Sequence, residues 1–258
     1  MPTTRRPAAS PHASVPTLGA ALAACAACAA CAGAPRGAAG TPPRAAAYVY
    51  TCGDATRFSV RYDPAAGGGA ATSATLRLAG ADDDREVRLA VDTAASGARF
   101  RGRDAAGAVT FWAHQGGATL VAGAGPARAC RPRAAATPWD EARLLGADYR
   151  AVGQEPGWVV EVYAGRRLLF VGDYGSTRLT APAPAPATET AAAPGGPPGA
   201  NRVTYAARAG AHALTVEVVR QACRDEMSGE AFPTTAVVRL DGREYRGCGR
   251  WLGDEPRG

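Results

Sequence analysis

Apolar and polar positions alternate in short runs along most of this chain. Phe58, Val60 and Tyr62 alternate with Arg57, Ser59 and Arg61, and Leu76 and Leu78 with Thr75 and Arg77. Val87, Leu89 and Val91 alternate with Glu86, Arg88 and Ala90. A period of two with polar partners predicts half-buried antiparallel strands. Asp63-Pro64 followed by Gly67, Gly68 and Gly69 predicts a loop, and Ala79 to Asp84 a turn that carries an acidic cluster. Further along, residues 152–175 predict two strands about a turn at Ala164-Gly165. Val203–Ala207 and Leu214–Val219 predict two more, and Thr234–Leu240 and Glu244–Cys248 flank Asp241-Gly242, a strong hairpin signal. No 3.6-residue period is sustained between residues 47 and 131, so helix is expected to be scarce there. The class is all-β, with strands of a length and spacing that suit a small barrel or sandwich.

Composition divides this pattern. APAPAPATETAAAPGGPPG fills residues 181–199, GAPRGAAGTPPRAAA follows the N-terminal segment, and RPRAAATPWDEA, 131–142, makes a shorter break. The breaks predict one β module at 47–133 and a second at 145–253, joined by flexible linkers, with 181–199 an insertion in the second. Cys52 and Cys130 then belong to the first module and Cys223 and Cys248 to the second, which predicts one disulfide in each. Closing these loops would stabilise the modules by roughly 4.5 and 3.5 kcal/mol.

Three more cysteines, Cys25, Cys28 and Cys31, stand at three-residue spacing near the N-terminus. Arg5 and Arg6, a short weakly apolar stretch and small residues before Cys25 have the layout of a secretory signal. The apolar stretch is shorter than the about 20 residues a spanning helix needs. Leu22-Ala23-Ala24-Cys25 resembles a bacterial lipobox, which implies a signal peptide over 1–24, a lipidated (palmitate-carrying) Cys25 and a flexible tether over 25–46. Cys28 and Cys31 are the alternative acylation sites. Ala26 in place of aspartate resembles outer-membrane retention, so the chain is expected in the bacterial envelope, facing the periplasm. The tether would reach roughly 60 Å if extended. A structural zinc needs four ligands on a folded frame, and only His12 lies near the three cysteines, so no metal or other cofactor is expected.

Charge changes this picture little. The net charge is +6, there is no lysine, and no basic stripe interleaves with aromatics, so nucleic acid is not an expected partner.

The first module carries an ordered set of motifs: YTCGDATRFSVRY from Tyr50, SGARF at 96–100, Phe111-Trp112, GGATLV at 116–121 and the closing Cys130. This set resembles the MliC family, the membrane-bound inhibitors of c-type lysozyme. The resemblance implies an eight-stranded antiparallel barrel closed by one disulfide, and a function without catalysis, the plugging of a lysozyme's active-site cleft. A c-type lysozyme works with one protonated and one ionised carboxyl group, so its inhibitor needs a hydrogen-bond donor for the ionised oxygen and a cation nearby. By the family pattern Ser96 fills the first role. Gly97 lets the backbone enter a narrow cleft, Arg99 and Phe100 complete the motif with Phe100 buttressing the loop, and Trp112 belongs to the Phe-Trp pair. His114 stands where the family has a lysine, and one extra residue precedes Gly116. A histidine, with an unperturbed pKa near 6.5, is a partial cation at neutral pH. Residues 48–133 hold eleven arginines and eight acids. That balance gives no long-range attraction for a basic lysozyme unless the acidic turn at Asp82, Asp83 and Asp84 faces it.

The second module has GQEPGW (153–158), CRDEMSGEAFP (223–233) and GREYRGCG (242–249), and resembles an uncharacterised family of exported bacterial lipoprotein domains. Glu155, Asp225, Glu226, Ser228 and His212 are its polar candidates for chemistry, but no hydrolase, zinc-protease or nucleotide-binding signature arranges them, so no enzyme activity is expected. Pro156 and Trp158 fit a turn and a core position, and Asp225 and Ser228 fit a capped loop. The rival to lysozyme inhibition is a lipoprotein that binds cell wall or a small ligand without inhibiting. The sequence leaves the oligomeric state open.

Overall fold

The computed structural model describes residues 47–63, 70–80, 84–189 and 201–253, all within one compact unit from Pro43 to Gly258. The N-terminal segment with Cys25, Cys28 and Cys31, the loop residues 64–69, the turn residues 81–83 and the insertion residues 190–200 lie outside the described residues.

The first eight strands are β1 (Ala47–Cys52), β2 (Arg57–Asp63), β3 (Ser73–Ala79), β4 (Asp84–Asp92), β5 (Ala98–Asp104), β6 (Gly107–His114), β7 (Gly117–Ala122) and β8 (Arg128–Ala135). Each pairs antiparallel with the next, and β8 returns to β1 to close the barrel. The expected alternation sorts the side chains. Phe58, Val60, Leu76, Leu89, Phe100, Phe111 and Leu120 fill the interior, all at most 1 % exposed. Cys52 and Cys130 are cross-strand partners on β1 and β8 and are joined as a disulfide.

The stretch read from composition as a break between modules is instead ordered. β8 continues to Ala135, and α1 (Pro138–Leu145) follows. Its short length is offset by its ends. Thr137 caps it in a capping box with Asp140, Pro138 occupies the first turn, and Gly146 closes it at φ +93°, where a side chain would strain the backbone. The helix lies on the outside of the barrel. Its Ala142 and Leu145 pack with Ala47, Val49 and Ala135 from β1 and β8, with Tyr163 from the second sheet and with Leu252 just after that sheet's last strand, a buried cluster distinct from the barrel interior. Buried Glu141 accepts hydrogen bonds from Ser59 Oγ (2.5 Å) and Arg61 (2.7 Å) on β2.

The second sheet is built from β9 (Tyr149–Gly153), β10 (Trp158–Tyr163), β11 (Arg167–Gly172), β12 (Thr177–Pro182), β13 (Ala187–Glu189), β14 (Arg202–Ala209) and β15 (His212–Val219). After a two-stranded ladder of β16 (Cys223–Arg224) and β17 (Ala231–Phe232), β18 (Thr234–Leu240) and β19 (Arg243–Trp251) complete it. The order β12-β11-β10-β9-β19-β18-β15-β14-β13 is antiparallel throughout, and it curls until β12 lies near β14. Its last strand pairs with its first, as in the barrel, and the ring stays open where the Pro/Ala/Gly insertion falls. Asp241-Gly242 forms the expected turn with both φ positive, and Cys223–Cys248 is the second disulfide.

The two sheets meet through charge. Arg77 on β3 donates to Asp84 (2.8 Å) on β4 and to Glu161 (2.5 Å) on β10, and Arg167 on β11 reaches Asp84 at 3.1 Å. Arg150 and Arg178 join the cluster through Glu161 and Asp84. All four central groups are buried: Arg77, Asp84, Glu161 and Arg167. Burial opposes ionisation of Glu161, but Arg77 and Arg150, with hydrogen bonds from Arg77 and Tyr163, overcome it and hold the carboxyl at about 2. Asp84 is likewise held below its ordinary value, its burial outweighed by Arg77, Arg178 and Arg167. Asp84 of the acidic turn is therefore committed inside the molecule rather than facing a partner, because its carboxylate neutralises arginines that packing has removed from water.

Candidate functional site

At one end of the barrel the β4–β5 connection and the β6–β7 hairpin stand side by side. The hairpin pairs His114 with Gly117 and turns through Gln115 (φ +48°) and Gly116 (φ +74°), both in the left-handed region that a two-residue turn of this kind needs. The extra residue noticed before Gly116 is the first of these turn residues. Ala98 pairs with Ala113, which lays Ser96 and Gly97 against the end of β6.

Gly97 is required there on two counts. Its φ is +72°, and an added Cβ would run into the Ala113 carbonyl oxygen and lie 3.1 Å from His114 Cβ. Trp112 fixes the loop next to it, its indole N–H donating to the Ser96 carbonyl oxygen at 2.8 Å. Its ring also lies 4.3 Å from the His114 ring, and His114 Nε2 is 3.0 Å from Thr119 Oγ1 on β7. Arg99, the cross-strand partner of Trp112, braces the other end of the loop by pairing with Asp92 (2.8 Å) and donating to the Thr93 carbonyl. Phe100 is 1 % exposed and stacks among Tyr62 and Phe111, so it supports the loop from inside. Ser96 itself is exposed, and its hydroxyl has no hydrogen-bond partner among the described residues.

The six sequence-predicted residues thus converge, in three kinds of place. Ser96 and Gly97 form the exposed tip, Trp112 and His114 the half-buried shelf behind it, and Arg99 and Phe100 the bracing. Beside the tip lies a groove of about 640 Å³ whose lining includes Gly97, His114, Tyr48, Tyr50 and Tyr62. The Tyr50 and Tyr62 hydroxyls are 3.3 Å apart. Burial pushes both phenols above their ordinary value, so they stay neutral hydrogen-bonding groups. Sequence reasoning missed this groove, Asp92 and Thr119. Asp92 could have been found four residues before Ser96, since an acid opposite Arg99 on paired strands invites an ion pair.

The comparison with known families bears on the barrel. Residues 50–128 match the MliC family. Its description is membrane-bound lysozyme-inhibitor of c-type lysozyme, and the match covers every residue of the tip, shelf and bracing just described. The MliC match stops short of Cys130 and leaves α1 and the second sheet outside it. No curated protein matches the chain, and no solved structure does. The MliC family is one of inhibitors, and the tip offers an unengaged hydroxyl, a glycine and a braced backbone. Among the described residues no group of His, Cys, Asp and Glu is placed to hold a metal ion.

Three of the five polar candidates of the second sheet, Asp225, Ser228 and His212, have structural roles. Asp225 Oδ1 accepts from the N–H groups of Met227 (3.1 Å) and Ser228 (2.7 Å) and from Ser228 Oγ (2.8 Å), closing the loop as expected. The Ser228 hydrogen bonds hold its carboxyl below the ordinary range. His212 Nδ1 lies 2.6 Å from Asp241 Oδ2, an exposed pair that ties two hairpin turns together.

Proposed function

We propose that this chain inhibits c-type lysozyme from the bacterial envelope by inserting the Ser96-Gly97 tip into the enzyme's cleft. One observation carries the reading. Within the MliC-matched segment, the exposed tip with a free hydroxyl is fastened from behind by Trp112 and from the side by Arg99. A loop fixed before binding loses little conformational freedom on insertion, which favours affinity. Ser96 Oγ–H would donate to the ionised catalytic carboxylate. His114, with Nε2 held at Thr119, offers Nδ1 where the family pattern has lysine. The groove beside the tip would receive whatever part of the enzyme borders the cleft. The chain would be anchored by lipid on Cys25 after removal of residues 1–24, in the outer membrane and facing the periplasm. Among the described residues no helix is long and apolar enough to cross a membrane.

The test is inhibition of a c-type lysozyme by the Pro43–Gly258 unit and two variants at the exposed tip. Ser96→Ala removes a hydrogen bond to a charged group, about 1.5–3 kcal/mol, and should weaken inhibition about ten- to hundredfold. Ser96→Trp should abolish it by bulk while leaving the far-UV spectrum unchanged. Inhibition intact in both variants would show that the tip is not the inserted element.

A further inference from the structure

Among the described residues four large apolar side chains stand exposed, and two of them, Tyr174 (75 %) and Met227 (74 %), border adjoining hollows on the second sheet. The hollows, of about 320 and 380 Å³, share Gly153 and Gln154; Tyr174 lines the first and Met227 the second. Neither is part of the MliC-matched segment.

Tyr174 is held out at a cost. Asp173 (φ +51°) and Tyr174 (φ +56°) are consecutive non-glycine residues in the left-handed region. The turn is pinned by the Asp173 carboxylate, which accepts from Thr177 Oγ1 (3.1 Å) and Tyr245 Oη (3.4 Å) and pairs with Arg243 (3.0 Å). Tyr174 N–H donates to the Gly157 carbonyl at 2.9 Å. The ring lies against Gly157, where a Cβ would come within 2.9 Å of it, so bare backbone continues the floor beside the ring. Core packing does not account for a strained residue whose side chain is three-quarters exposed.

The polar lining suits a ligand without negative charge. Glu155 and Glu226 have no ion-pair partner among the described residues, whereas Arg246 is paired with Glu244 (2.6 Å) and Arg224 donates to the Gly229 carbonyl (2.6 Å). Asp225 is spent on its own loop, so its charge is not offered. Amide, carboxylate and guanidinium groups are planar and suit paired hydroxyls. An exposed aromatic face suits the C–H face of a sugar ring, and the exposed thioether of Met227 suits a methyl group.

We infer that these adjoining hollows form a binding site for a glycan of N-acetylated pyranose rings, one ring stacked on Tyr174 and its neighbour hydrogen-bonded at Gln154 and the charged rim. The inference does not depend on lysozyme inhibition, because the site lies on the other sheet.

The test is calorimetric or NMR titration of the Pro43–Gly258 unit with a β-1,4-linked N-acetylglucosamine tetramer, and separately with a short free peptide of alternating charge. The glycan should bind saturably, and Tyr174→Ala should weaken it about tenfold while Tyr174→Phe stays within about twofold. Tyr174→Gly separates binding from folding. Glycine suits the positive φ, so thermal stability should hold or rise while binding falls as in the alanine variant. A glycan affinity unmoved by Tyr174→Ala, no saturation by about 10 mM, or binding of the peptide alone would overturn the inference. A Tyr174→Gly variant that melts lower than wild type would overturn it too, by assigning Tyr174 to the fold.

Discussion

Replacing Glu161 by glutamine removes one negative charge from the buried cluster between the barrel and the second sheet. The carboxylate is 1 % exposed and takes hydrogen bonds from Arg77 (2.5 Å), Tyr163 (2.8 Å) and Arg150. Two estimates of the cost agree. Breaking a buried pair and stranding its partner destabilises by about 3–5 kcal/mol. A carboxyl held at about 2 against an ordinary 4.5 corresponds to about 3 kcal/mol of stability at neutral pH. For a unit of this size that is a fall in Tm of about 6–12 °C, measurable by circular dichroism at pH 7. The pH dependence gives the sign. The folded-state value lies below the unfolded one, so the Glu161 contribution is complete above about 4.5 and is lost as pH falls towards 2. The gap between wild type and Glu161→Gln should thus be constant from pH 7 to about 5 and narrow between about 4.5 and 2. A variant that melts within about 2 °C of wild type at pH 7 would show that the cluster holds nothing together. The cluster also argues against treating the barrel as a free-standing inhibitor, since cutting after Ala135 would expose Ala47, Val49 and Ala135 and take Glu161 away from Arg77, leaving it Asp84 alone.

Three further outcomes follow from named contacts. Trp112→Phe keeps the ring beside His114 but deletes the donor to Ser96, so inhibition should weaken about five- to tenfold with Tm nearly unchanged; an equal loss of both would make Trp112 a core residue only. Replacing Cys52 and Cys130 together by alanine should cost about 3–5 kcal/mol in a urea titration, because the bridge spans 78 residues, and a cost below about 1 kcal/mol would contradict that role. Metabolic palmitate labelling should vanish in Cys25→Ala; labelling that persists there and vanishes in Cys31→Ala would move the lipid site.

The strands were legible because their interior positions recur every second residue and polar partners mark the outside. Phe58, Val60, Leu76 and Leu89 all point inward as that pattern requires. The disulfides were legible because composition breaks left two cysteines on each side, and the closeness of Ser96, Trp112 and His114 because the Ser-Gly motif and the Phe-Trp pair were recognisable in order. What was missed depends on contacts between distant parts of the chain. Nothing local marks Arg77 and Glu161 as partners 84 positions apart, and on alternating strands both read as solvent-facing charges. Helix α1 was hidden because eight residues carry too little periodicity, although Thr137, Pro138 and Gly146 are ordinary end signals. The exposed Tyr174 was invisible for a related reason: sequence shows an aromatic in a turn, and only the backbone shows it strained outward.

The most direct test of the account is a titration of c-type lysozyme turnover with the Pro43–Gly258 unit at neutral pH. Turnover should fall to a small residual rate at a one-to-one ratio once both proteins exceed about 1 µM, with the loss reversed by excess glycan competing for the cleft. Undiminished turnover at about a hundredfold excess of the unit would contradict the central claim.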